Sequence, residues 1–126
     1  MNLKWFIGGN AALMAQGISQ RFSNCDVLLI GPVGPKLKQL LNTNIQIPPI
    51  CQTPKDEIHL ILEYVAKEEF ENIQAANANR YIISHDIYNS RMEMLDDFFN
   101  ITNEFKPNVM ILSGLHLLES QSQEFR

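Results

Sequence analysis

An α/β fold is what this sequence predicts, and three observations predict it. Short apolar runs bounded by glycine or proline, Val27 to Ile30 and Val109 to Leu112, have the pattern of strands buried on both faces. Stretches with apolar residues at helical spacing, each closed by a stop signal, alternate with those runs. Between the two halves lies Asn44 to Asp86, in which apolar and polar residues alternate as in half-exposed strands. The order is strand, helix, strand, a block of short strands, then helix, strand and helix. A parallel sheet with flanking helices and an inserted strand-rich region fits it, and ligands of such folds sit beyond the carboxyl ends of the strands.

Each element has its own warrant. Lys4 to Ile7 is a short apolar run ended by Gly8 and Gly9, so it is expected as a strand, with Asn10 capping a helix over Ala11 to Phe22 that turns Met14, Ile18 and Phe22 inward. The strand around Val27 to Ile30 is expected to bury Cys25 and is stopped by Gly31-Pro32-Val33-Gly34-Pro35, before a short helix from Lys36 to Leu41. Ile45 and Ile47 alternate with polar residues, and Pro48, Pro49 and Pro54 break the chain before two further alternating stretches, Glu57 to Val65 and Arg80 to His85. These are expected to form a small mixed or antiparallel sheet apart from the main one. Ser90 and Glu93 have the spacing of a capping box, and Met94, Phe98, Ile101 and Phe105 form an apolar stripe that Pro107 ends. Val109 to Leu112 then leads through Ser113-Gly114-Leu115-His116 into a final helix. The expected organisation is residues 1–43 as the first part of a large α/β region, 44–86 as a small lid-like β region, and 87–126 as the return to the large region.

Composition narrows the functions. With 126 residues, 45% hydrophobic and 19% charged, the chain suffices for one modest core. A net charge of -4, with ten scattered Lys and Arg residues, offers no attraction to nucleic acid or anionic membrane. Two cysteines, Cys25 and Cys51, supply neither a disulfide framework nor a four-ligand metal site, and both read as plain thiols. His59, His85 and His116 lack metal-ligand spacing, so no zinc site is expected. The apolar run at the N-terminus is too short for a signal peptide or a transmembrane segment, so the chain as written reads as cytoplasmic.

Three places could carry chemistry. Gly8-Gly9-Asn10 stands where a helix begins, and glycines there let a ligand approach outward-pointing N–H groups; the same residues also serve as an ordinary turn with a capping Asn. Glu63 shares a pleat face with His59 and Ile61, where a carboxylate either accepts two sugar hydroxyls or belongs to a solvated sheet face. His116 follows a buried-strand pattern and a glycine, a position of ligand contacts in open α/β sheets and also of structural histidines. Phosphoryl transfer needs a base, donors for the developing charge and usually Mg²⁺ with its carboxylates. Gly31 to Lys36 lacks the Walker spacing, its prolines remove N–H donors, and Asp96-Asp97 read as the polar face of a helix. Neither catalytic residues nor metal ligands are expected in this chain.

Five collinear blocks carry a family likeness: Gly-Gly-Asn-Ala-Ala-Leu-Met from Gly8, Leu-Leu-Ile-Gly-Pro-Val-Gly-Pro-Lys-Leu from Leu28, Asp-Glu-Ile-His-Leu-Ile-Leu-Glu-Tyr from Asp56, Ala-Asn-Arg-Tyr-Ile-Ile-Ser-His-Asp from Ala78, and Leu-Ser-Gly-Leu-His from Leu112. Together they resemble the ADP-dependent glucokinases, which have a ribokinase-like fold with a β lid. The resemblance implies phosphorylation of glucose to glucose 6-phosphate with ADP as donor, AMP as product and Mg²⁺ as cofactor, in a monomer, with an endoplasmic-reticulum location in animals. It implies that Gly9, Asn10, Glu63 and His116 contact the sugar, and that the metal-binding acidic residues and a Gly-x-Gly-Asp catalytic motif belong to a longer C-terminal region. Lys67-Glu68-Glu69-Phe70-Glu71 stands where the family has Gly-Glu-Glu-Trp-Gly, Ala76 where it has Pro, and Ser90 where it has Gly.

The leading expectation is therefore the sugar-binding, N-terminal part of a sugar kinase, inactive alone. A non-catalytic sugar-binding or interaction module is the alternative, and a generic nucleotide-binding α/β domain is disfavoured by the missing phosphate motifs. Glucose and a phosphorylated sugar both remain open as acceptor.

Overall fold

The computed structural model describes residues 4–91 and 94–114. Helices and small β-sheets alternate in it, as in an α/β chain. Gly9, at φ 80° and ψ 133°, ends the irregular N-terminal segment, and helix α1 runs over Asn10–Arg21. A side chain on Gly9 would be strained in that conformation, so the helix starts from a glycine. Asn10 is thus the first helical residue and not the cap, which corrects the sequence expectation. Lys4 to Ile7 is irregular rather than a strand: Ile7 packs on the core, and Trp5 lies under the Lys36 ammonium, 5.8 Å from its ring centre.

The core gathers small residues of α1 onto a short parallel sheet. Strand β1, Val27–Leu28, pairs in parallel with β2, Ile45–Gln46, through helix α2, Pro35–Leu40. The ladder continues through Leu29 N–H to Gln46 O (2.9 Å) and a bridge of Val33 to Gln52. Ala12 and Ala15 of α1 bury against Val27, Leu29, Val33, Leu41 and Ile45. The buried face of α1 is the row Ala12, Ala15 and Ser19; of the row Met14, Ile18 and Phe22, Ile18 packs at the core's edge and Phe22 is exposed. Small side chains let the helix backbone lie close to the sheet, so the bulkier row is displaced to its flank. Gln16 Oε1 accepts the Asn42 N–H at 2.7 Å, tying α1 to the turn before β2.

Ile45 therefore belongs to the core sheet and not to the small sheet expected from its alternation. Cys25 lies exposed ahead of β1, and Cys51, in a 3-10 turn over Pro49–Cys51, is fully buried. Burial pushes the Cys51 thiol upward, against a lowering backbone contact from Gly31.

Helix α2 is completed from far along the chain. Its cap residue, Gly34, has no side chain, and Asp56 accepts the N–H groups of Lys36 (2.9 Å) and Leu37 (2.8 Å) instead. A Cβ on Gly34 would stand 2.5 Å from Asp56, so the glycine makes room for the carboxylate.

Past Asp56 the chain makes a long two-stranded ribbon. Strand β3, Ile58–Tyr64, pairs antiparallel with β6, Asn79–His85, in a register that sets His59 opposite Ser84, Ile61 opposite Ile82 and Glu63 opposite Arg80. Its far end carries a smaller hairpin of β4, Glu69–Phe70, and β5, Ile73–Gln74. Lys67 (φ 68°) and Glu71 (φ 55°) take left-handed backbone there, at the two positions where the family likeness expects glycine.

After a 3-10 turn over Asn89–Arg91, helix α3 spans Leu95–Phe105, with Asp96 and Asp97 in its first turn and Lys106 left-handed (φ 52°) at its end, just before Pro107. Its cap is Met94, and the Ser90 hydroxyl donates to Asp86 O (3.1 Å); Glu93, the other half of the expected capping box, lies outside the described residues. Val109 to Leu112 is irregular and exposed, contrary to the expected strand: among the described residues no strand pairs with it. The final helix expected after Gly114 also lies outside the described residues. Among the described residues no helix is long and apolar enough to cross a membrane.

Candidate functional site

A cleft of about 530 Å³ opens between the start of α1, the Leu29–Val33 segment, the root of the β3/β6 ribbon, α3 and residues 111–114. Most of its wall is apolar, including Leu29, Ile61, Ile82 and Phe98, and a few polar side chains converge on it: Asn10, His59, Asp86, Tyr88, Asn89 and Ser113. That combination suits a small ligand held by a few directional hydrogen bonds.

The sequence-derived residues divide. Gly9 and Asn10 line the cleft, and no hydrogen bond among the described residues engages the Asn10 side chain. Glu63 lies on the ribbon face that His59 and Ile61 turn to the cleft, but about 7 Å further out than Ile61 at the ordinary strand rise, and it does not line the wall. His116 lies outside the described residues; Ser113 and Gly114, just before it, line the cleft.

Sequence reasoning missed the ribbon root. Glu57, the residue before β3, accepts the backbone N–H groups of Tyr88 and Asn89 and the Asn89 side-chain amide, so the chain entering the ribbon is bonded to the chain leaving it. Burial, and then contact with the Asp86 carboxyl, raise Glu57 above the usual carboxylate range, and the two backbone donors pull it partly back. His59 Nδ1 lies 2.8 Å from Ser84 Oγ, and its Nε2 lies 3.9 Å from Asp86 Oδ2. A carboxylate directly after an alternating strand was the available signal for Asp86.

Among the described residues no three His, Cys, Asp or Glu side chains gather as a metal site requires. The N-terminus of α2 does not offer an anion site either, since the Asp56 carboxylate already occupies its donors.

The family model described as the ADP-specific phosphofructokinase/glucokinase conserved region matches residues 2–126. An ADP-dependent glucokinase of Bos taurus is 50% identical over 121 residues, which is 96% of this chain and 24% of the relative. A probable ADP-dependent glucokinase of Caenorhabditis elegans is 40% identical over 120 residues, covering 95% of this chain and 24% of the relative. The chain thus spans 24% of the length of these curated relatives. With a family model matching nearly every residue, the chain belongs to the ADP-specific phosphofructokinase/glucokinase family.

Proposed function

We propose that this chain forms the sugar-binding part of a kinase that phosphorylates D-glucose to glucose 6-phosphate, with ADP as donor and AMP as product. Family membership supports the reaction class, and the names of both relatives support glucose. The observation that carries the reading to particular residues is the cleft edged by Gly9 and Asn10, where α1 begins with an amide side chain that no hydrogen bond among the described residues engages. An amide both donates and accepts, as a sugar hydroxyl does, so one Asn can hold a hydroxyl through either of its polar atoms. Apolar walls around it exclude competing water and make each such bond count for more.

In this reading the fold is ribokinase-like, and the β3/β6 ribbon is its lid. Swinging inward, the ribbon would bring Glu63 over the sugar from the face it already shares with His59 and Ile61. His116 completes the proposed contacts. The described residues gather no ligand set for Mg²⁺, and ADP and Mg²⁺ are assigned to polypeptide other than these residues. What this chain contributes is binding and orientation of the acceptor hydroxyl.

Calorimetric titration with D-glucose tests the reading. Saturable heat is expected, with Asn10→Ala and Glu63→Ala each weakening binding about tenfold, the cost of one good hydrogen bond in a dry site. A wild-type chain without saturable heat would sink it.

A further inference from the structure

We infer that Asp86 is a sugar-contacting, specificity-determining residue of the cleft. The inference rests on the hexose reading above. Among the described residues Asp86 is the one carboxylate in the cleft wall, a position that the sequence assigned to Glu63. It follows β6 directly, so the ribbon root fixes its backbone. Its side chain is only 20% exposed, and its Oδ1 is buried with no hydrogen-bond donor among the described residues. A buried acceptor left in that state is costly unless a ligand supplies the donor.

Its neighbours leave acceptor capacity unused at Oδ1, although the Glu57 carboxyl contacts it. Glu57 and not Asp86 takes the N–H groups of the Tyr88–Asn89 turn. The Ser90 hydroxyl bonds to the Asp86 main-chain carbonyl. The His59 ring stands beside the carboxylate, its Nε2 3.9 Å from Oδ2, beyond hydrogen-bond distance, while Nδ1 of that ring is engaged by Ser84. Asp86 is thus held beside the cleft with acceptor capacity to spare. Vicinal hydroxyls are donors whose spacing matches two carboxylate oxygens, so the ligand chemistry indicated is a neutral polyol presenting adjacent hydroxyls. A phosphorylated group at this end would meet like charge and be disfavoured, which selects for an unphosphorylated edge of the sugar here.

Amide chemical shifts of the 126-residue chain, followed during titration with D-glucose, test this. In the wild type, amides of Asp86 and Tyr88 are expected to shift together with those of Gly9 and Asn10, along one binding curve. Asp86→Asn keeps the shape and removes the charge; it is expected to raise the apparent Kd about tenfold or more, the loss of one charge-assisted bond. Melting curves of both proteins establish that the variant is folded, and the wild-type shift map decides the matter by itself if it is not. Shifts confined to Gly9 and Asn10, or Asp86→Asn binding within about twofold of wild type, would overturn the role of Asp86 and leave the hexose reading standing. Glucose shifting no amide of the cleft would overturn both.

Discussion

Single side chains settle how the ribbon root works, and Glu57 is the clearest case. Its pKa lies above the ordinary value, so the folded state favours its protonated form. The stabilisation from that proton is fully present below about pH 4.5, the ordinary glutamate value, and is lost as pH rises through the raised folded value. Glu57→Gln carries no titrating proton. The melting temperature of wild type minus that of Glu57→Gln is therefore expected to fall as pH rises across this window, and differential scanning calorimetry at several pH values reads it. A difference that stays flat or rises with pH would show that burial and Asp86 do not control Glu57. The sequence could not announce this residue, because Glu57 and Asn89 meet only through the ribbon's register. Gly9 and Asn10 were legible because a glycine pair before a helical pattern marks a turn without any tertiary knowledge. Glu63 shares the face of His59 and Ile61 but lies outside the cleft wall, since alternation reveals the side of a strand and not where along it a cleft ends.

Among elements, the ribbon, α2 and α3 followed their sequence signals closely, while the apolar runs misled. Val27 to Ile30 shrank to a two-residue strand, and Val109 to Leu112 formed none, because a strand requires a partner ladder that hydrophobicity alone does not provide. Helix α1 was expected in place but rotated, since large residues outweigh alanines in any apolar stripe, whereas the close approach to the sheet selects the alanines. The β4/β5 hairpin retains glycine-like backbone with non-glycine residues at Lys67 and Glu71. Left-handed backbone costs a side-chain-bearing residue about 1–2 kcal/mol, and glycine returns part of that as unfolded-state entropy. Lys67→Gly and Glu71→Gly are each expected to stabilise the chain by about 0.5–1 kcal/mol in denaturant unfolding. Destabilisation by either would mean that the charged side chains make compensating contacts of their own.

For the whole molecule, surface is the governing quantity. The chain exposes 10004 Å², whereas a compact monomer of 14.4 kDa would expose about 6,800 Å². The ribbon adds to this surface, since its face away from the cleft carries Leu60, Leu62, Tyr81 and Ile83, all more than a third exposed. Such a patch on a two-stranded ribbon invites association. The isolated chain is expected to bind a hydrophobic dye and to self-associate as concentration rises, and Leu60→Lys with Ile83→Lys to suppress both, as light scattering would register. Unchanged dye binding in that double variant would place the sticky surface elsewhere. The Asp56 clasp on α2 has a different consequence, one of timing. Because two N–H groups at the start of that helix are answered by a residue 20 and 19 positions downstream, a growing polypeptide gains this cap only once the start of the ribbon has left the ribosome.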